Sequence, residues 1–116
     1  MKRIFIWLDD ERPINPMWIK RANDDIYFIK FKNAINLIEW FKTKASEYDK
    51  IFISFDHDLG SDLTGYDVAK YIVENNCPIT GFTVHSMNPV GAMNIYELLT
   101  HYGYHKIDYS GEINTL

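Results

Sequence analysis

Disulfides, membrane-spanning segments and basic tracts are all missing from this sequence, and each absence narrows what the chain can be. A single cysteine, Cys77, excludes an internal disulfide and suits a reducing, cytoplasmic setting. Cys77 precedes Pro78 at the end of an expected helix and reads as a small buried filler. The longest apolar run, Ile4 to Leu8, stops at Asp9. It is too short for the apolar region of a signal peptide and far too short to span a membrane. Lys and Arg number 12 against 16 Asp and Glu, a formal charge of -4. Without a clustered basic stripe the chain is a poor partner for long DNA or RNA, whose phosphates need grouped Lys and Arg. A small anionic ligand is still allowed, because one local pocket can hold a phosphate whatever the net charge. Repeats, low-complexity tracts and linkers are lacking too.

What is present is apolar surface. The apolar fraction is 47% and the aromatic fraction 16%, enough for a core that needs no metal or disulfide to fold. A length of 116 residues fits one domain, expected over 1–116. Ile4 to Leu8 and Ile51 to Phe55 are nearly unbroken apolar runs, the pattern of strands covered on both faces. Ile26 to Phe31 and Ile79 to Val84 read as two more strands, and Lys106 to Tyr109 as a short fifth, with loop from Ser110. Between them lie helical patterns: Met17 to Ala22, Asn33 as cap through about Lys44, Tyr66 to Asn75, and a helix capped by Asn88 with Pro89 in its first turn, ended by Gly103. Strands alternating with helices predict right-handed βαβ units. The expected fold is three-layer α/β, with a five-stranded, mostly parallel sheet in the order 2-1-3-4-5.

In such a sheet every parallel strand finishes at one edge, and ligands bind there. Three apolar strands here run straight into polar clusters: Asp9-Asp10, Asp56-His57-Asp58 and His85-Ser86. Carboxylates gathered at one rim repel unless a cation sits among them. Asp9, Asp10 and Asp56 are the candidate ligands for a divalent metal, Mg2+ first and Mn2+ second. His57 and His85 titrate near neutral pH and suit an acid and a base about a phosphate, with Asp58 to orient a ring. Ser86, Asn88 and the N–H groups near Val90 and Gly91 form a helix start able to bind anion oxygens; Asn88 is also the expected cap. Arg12 can clamp a phosphate or neutralise Asp10 or Glu11. Trp18 and Tyr66 lie near the rim loops as possible stacking platforms. Gly60 to Gly65 is a polar loop that could cover the site.

These residues resemble a known arrangement. The acidic pair after strand one, Asp56 after strand three and Gly65 nine residues on look like the receiver domain of two-component signalling. That resemblance implies Mg2+ binding, phosphoryl transfer to Asp56, a Ser/Thr near Ser86 and a Lys near Lys106. Receivers ordinarily lack a His after the acceptor Asp, and Lys106 lacks the Pro that follows the receiver lysine. The set Leu8-Asp9-Asp10-Glu11-Arg12-Pro13, Asp56-His57-Asp58-Leu59-Gly60 and His85-Ser86-x-Asn88 is more similar to the cyclic-phosphate-processing receiver-like family. This implies a hydrolase opening cyclic phosphates on nucleotides or RNA ends, with His57, His85 and Asp58 catalytic and Arg12, Ser86, Asn88 and Gly91 binding substrate. It implies a small phosphorylated nucleotide or RNA end as partner, no membrane, and a place in nucleotide signalling or phage defence. The alternatives are a cyclic-nucleotide sensor or sponge without turnover, and a phosphoaccepting receiver.

Overall fold

The computed structural model describes residues 1–108 and 111–116. Four strands among them form one parallel sheet: β1 (Arg3–Leu8), β2 (Ile26–Phe31), β3 (Lys50–Phe55) and β4 (Gly81–Val84). Their order is β2-β1-β3-β4. Strands β1 and β3 are buried on both faces, as their continuous apolar runs require. Ile4, Ile6 and Leu8 of β1 face one way with Ile51, Ile53 and Phe55 of β3. Against them pack α2 (Ala34–Thr43), α3 (Gly65–Glu74) and α4 (Pro89–His101), through Leu37, Trp40, Val68, Ile72, Ile95 and Leu99. Phe5, Trp7 and Phe52 face the other way. They are covered by Trp18 of α1 (Pro16–Arg21), by Ile107, and by Ile113 of the single-turn α5 (Glu112–Thr115). Arg3 secures that turn, its Nη1 donating to the carbonyls of Ile113 and Leu116. The result is the expected three layers. No helix among the described residues is long and apolar enough to cross a membrane.

The sheet has four strands and not the five expected. Where the sequence predicts a fifth strand there is one parallel bridge, Phe82 to Lys106, built from Phe82 N–H to the His105 carbonyl at 2.9 Å and Ile107 N–H to the Phe82 carbonyl at 2.8 Å. Only Ile107 is buried there; His105, Lys106 and Asp108 are exposed. One apolar side chain holds too little surface against the sheet to extend the ladder. Tyr109, the expected end of that strand, and Ser110, the expected start of the tail loop, lie outside the described residues.

The helix starts follow local chemistry. Asn33 and Asn88 accept the N–H of Asn36 and Gly91, which satisfies donors that have no partner inside the helix. Thr64 and Asp67 form a reciprocal capping box at α3, a signal lying inside the loop read as Gly60 to Gly65. Cys77 is buried, and burial pushes its thiol up from the ordinary value.

Register places the site. Trp7 pairs with Ser54 and Ser54 with Thr83; one row on, Leu8 pairs with Phe55 and Phe55 with Val84. The three strands therefore end together. The next residues are Asp9, Asp56 and His85, and the ladder still reaches them: Asp56 N–H donates to the Leu8 carbonyl and His85 N–H to the Phe55 carbonyl, both at 2.9 Å. Side chains alternate along a strand. Asp9, Asp56 and His85 thus share a face with Trp7, Ser54 and Thr83.

Candidate functional site

Asp9, Asp56 and His85 each offer one ligand atom, all within 4.8 Å of one another. Asp9 is 1% exposed. Its Oδ1 accepts the N–H groups of Glu11 at 2.8 Å and Arg12 at 2.9 Å. Its Oδ2 lies 3.0 Å from His85 Nε2. Burial pushes the Asp9 carboxyl up, but the donors from Arg12, Glu11 and His85 outweigh it and hold the carboxyl below its usual value. Asp56 goes the other way. Burial and then the nearby Asp9 charge raise it, against a hydrogen bond from Ser86 and the attraction of His85.

His85 uses both ring nitrogens. Nε2 meets Asp9, and Nδ1 lies 2.7 Å from Ser54 Oγ. The ring stacks on Trp7 at 3.8 Å between centroids and 7° between planes, a contact worth about 1 kcal/mol. Burial lowers its pKa, and Asp9 and Asp56 oppose that without cancelling it. An Asp–His–Ser chain invites comparison with a nucleophile triad. Ser54 is fully buried, however, and cannot reach a substrate; it orients the ring.

His57 is held differently. Its Nδ1 lies 3.0 Å from Asp58 Oδ1, and no partner for Nε2 is found among the described residues. That bond, with a second from Asn88, holds the exposed Asp58 carboxyl below its usual value. Asn88 Nδ2 donates to Asp58 Oδ2 at 3.3 Å while Asn88 Oδ1 accepts the Gly91 N–H at 3.0 Å. One side chain therefore caps α4 and steadies the carboxylate that orients His57. Replacing Asn88 with Ala is expected to lower stability by about 1 kcal/mol, the usual cost of a lost cap; urea unfolding measures it. Gly91 makes room for the His57 ring: a Cβ there would stand 2.7 Å from Cδ2 and 2.8 Å from Nδ1.

A cleft of about 320 Å³ opens over the row, lined by Asp9, Asp10, Glu11, Arg12, Asp56, Asp58, Gly60 and Met87. Of the residues expected to act together, Asp9, Asp10, Asp56, Asp58 and Arg12 line it. His85 and Ser86 bond to its wall through Asp9 and Asp56. His57, Asn88 and Gly91 flank it behind Asp58. The Gly91 N–H, expected to face an anion, is already taken by Asn88, and Ser86 Oγ accepts the Asn88 N–H at 3.1 Å. Lys106 is elsewhere, its Nζ over the Tyr96 ring at 5.1 Å. Trp18 is 2% exposed and packs on Phe5, so it is core and no stacking platform. Tyr66 lines a separate hollow with His101.

Ser54, Trp7 and Met87 belong to the site without having been singled out. The signal for the first two was strand parity. Each lies two residues before a site acid, Ser54 before Asp56 and Trp7 before Asp9, and so on the same face.

Five carboxylates and one guanidinium line this cleft. Their net charge repels a phosphate, and a further cation would offset that repulsion. The clustered donors of Asp9, Asp56 and His85 could hold a divalent ion; Asp10, the third ligand expected from the sequence, lines the same cleft but is not part of that cluster.

Known proteins share this fold. The family model for the cyclic-phosphate processing receiver domain matches residues 4–101. Among solved structures, the signal receiver domain of a protein assigned as the Luxo repressor of Vibrio parahaemolyticus is similar, with a TM-score of 0.63 and 16% identity over 94% of this chain and 82% of that one. The response regulator LqsR of Legionella pneumophila has a TM-score of 0.60 at 11% identity, over 94% of this chain and 38% of its own length. At these identities the likeness is one of fold. None of the curated proteins compared matches the sequence. The family match spans all four strands and the row of side chains beyond them, and the chain belongs to the cyclic-phosphate processing receiver domain family.

Proposed function

We propose that this domain is a phosphoesterase that opens a cyclic phosphate on a nucleotide or an RNA end. The observation carrying this reading is the Asp58–His57 pair beside an acidic cleft, with no partner for His57 Nε2 among the described residues. An imidazole fixed at one nitrogen and open at the other is equipped to move a proton. His57 takes the proton from the attacking water or gives one to the departing ribose oxygen. Asp58 holds its tautomer, and Asn88 holds Asp58. Arg12 pairs with a non-bridging phosphate oxygen. A divalent ion, when bound by Asp9, Asp10 and Asp56, supplies charge neutralisation and polarises the phosphorus–oxygen bonds. His85, with both nitrogens engaged, serves the acidic row rather than the proton traffic. Lys106, lying on Tyr96 away from the cleft, gives no support to the phosphoaccepting reading.

The test is a panel of 2′,3′-cyclic and 3′,5′-cyclic nucleotides and cyclic dinucleotides, with and without Mg2+ or Mn2+, followed by mass spectrometry. The expected result is a gain of one water on one class, abolished by chelation. Recovery of the ligand intact would make the domain a sensor or sponge. Stable labelling of Asp56 by acetyl phosphate would make it a receiver.

A further inference from the structure

We infer that His85 is itself a metal ligand, and that the Asp9–Asp56–His85 row prefers an imidazole-binding transition ion such as Fe2+, Co2+ or Zn2+ over Mg2+ or Ca2+. The inference deepens the metal part of the proposed function and rests on it.

Separation is the first ground. Two donors about 2.1 Å from one ion and at right angles stand roughly 3 Å apart. His85 Nε2 and Asp9 Oδ2 are 3.0 Å apart. A carboxylate oxygen of Asp56 lies within 4.8 Å of both, so one small ion can be reached by all three. An ion beside Nε2 displaces the proton shared with Asp9, and the Asp9 carboxylate swings off the N–H axis to meet the ion at about a right angle to the ring nitrogen.

The other face of the ring is the second ground. A histidine that binds metal through Nε2 carries its N–H on Nδ1 and needs an acceptor there. Ser54 Oγ stands 2.7 Å from Nδ1 and is fully buried. A hydroxyl both donates and accepts. Without an ion, Ser54 donates to Nδ1 while Nε2–H meets Asp9; with an ion, Nδ1–H donates to Ser54 and Nε2 presents its lone pair. Neither state changes the charge of the ring. Trp7, stacked at 7°, fixes the ring plane in both.

Selectivity follows from ligand chemistry. Mg2+ and Ca2+ take oxygen donors, whereas imidazole suits the later transition ions. A row of carboxylates alone would not discriminate in this way.

The test uses the full chain labelled with 15N-histidine, with the His85 resonances assigned through His85→Gln. Added Zn2+ is expected to shift His85 Nε2 strongly and to leave the N–H on Nδ1; added Mg2+ is expected to move neither. Equilibrium dialysis should show Co2+ bound at least tenfold more tightly than Mg2+. Ser54→Ala should weaken Co2+ by about tenfold with Mg2+ binding unchanged, and needs no alteration of a ligand. His85 resonances unmoved by saturating Zn2+, or equal retention of Co2+ and Mg2+, would overturn the inference. If Mg2+ also supports hydrolysis in that case, the proposed function stands without it. Failure of every divalent ion to bind would remove the metal from both.

Discussion

Replacing His57 with alanine is expected to slow the opening of a cyclic phosphate by about a hundredfold or more, the usual range for a lost acid–base group. The argument is one of geometry. His57 Nδ1 is committed to Asp58 at 3.0 Å, which fixes the tautomer and leaves Nε2 available. The ring rests on the face that Gly91 leaves open. Its removal exposes no buried polar atom and breaks no helix cap, so the melting temperature should stay close to that of the parent. Gly91→Ala offers a subtler version. The new methyl group pushes the ring aside while every acid and base remains, and turnover should fall with binding of substrate largely kept. Unchanged turnover in His57→Ala, measured on whichever cyclic nucleotide the panel identifies, would sink the mechanism. Loss of turnover together with loss of folded protein would be read through Gly91→Ala instead.

Gly65→Ala is expected to be among the most destabilising single changes available to this chain. The start of α3 crosses directly over the residues that follow β3, and the Gly65 N–H donates to the His57 carbonyl at 2.8 Å. A Cβ at Gly65 would penetrate the Asp56 carbonyl oxygen and stand 3.0 Å from its carbonyl carbon. Both partners are backbone, so no rotamer relieves the clash. Either α3 lifts, loosening Val68, Ala69 and Ile72 from the core, or Asp56 leaves the row. Overpacking of this kind costs about 3 kcal/mol, roughly 12 °C of melting temperature for a chain of this size. A thermal melt followed by circular dichroism decides it. A fall of only about 1 °C would show that the crossing has room for a methyl group.

Much of this is legible in the sequence. Ile4 to Leu8 and Ile51 to Phe55 announce covered strands because nothing but a two-sided core tolerates such runs. The caps at Asn33 and Asn88 are written in residue type. The polar clusters at three strand ends bring the acids and His85 to one rim in any parallel sheet. The fifth strand was less legible, because Lys106 to Asp108 carries the β-compatible Ile107 among residues that the fold leaves in solvent. Tertiary context cut it to a bridge. The division of labour between the histidines was hidden as well. His57 and His85 look equivalent as residues after strands. Only register shows that Ser54 and Trp7 lie under His85 and occupy it, while His57 falls outside the row and keeps a free nitrogen.

The common end of β1, β3 and β4 has a consequence for how such a site could be altered over time. Its spacing is that of the sheet, about 4.8 Å between neighbouring strands, and no loop has to be shaped to produce it. Helices on either side can be short, as α1 and α5 are here, without disturbing that interval. Deleting one residue from a strand is another matter, since it turns the terminal side chain to the opposite face. The interval therefore does not depend on the loops or the flanking helices. It depends on the length of the strands that carry the three side chains.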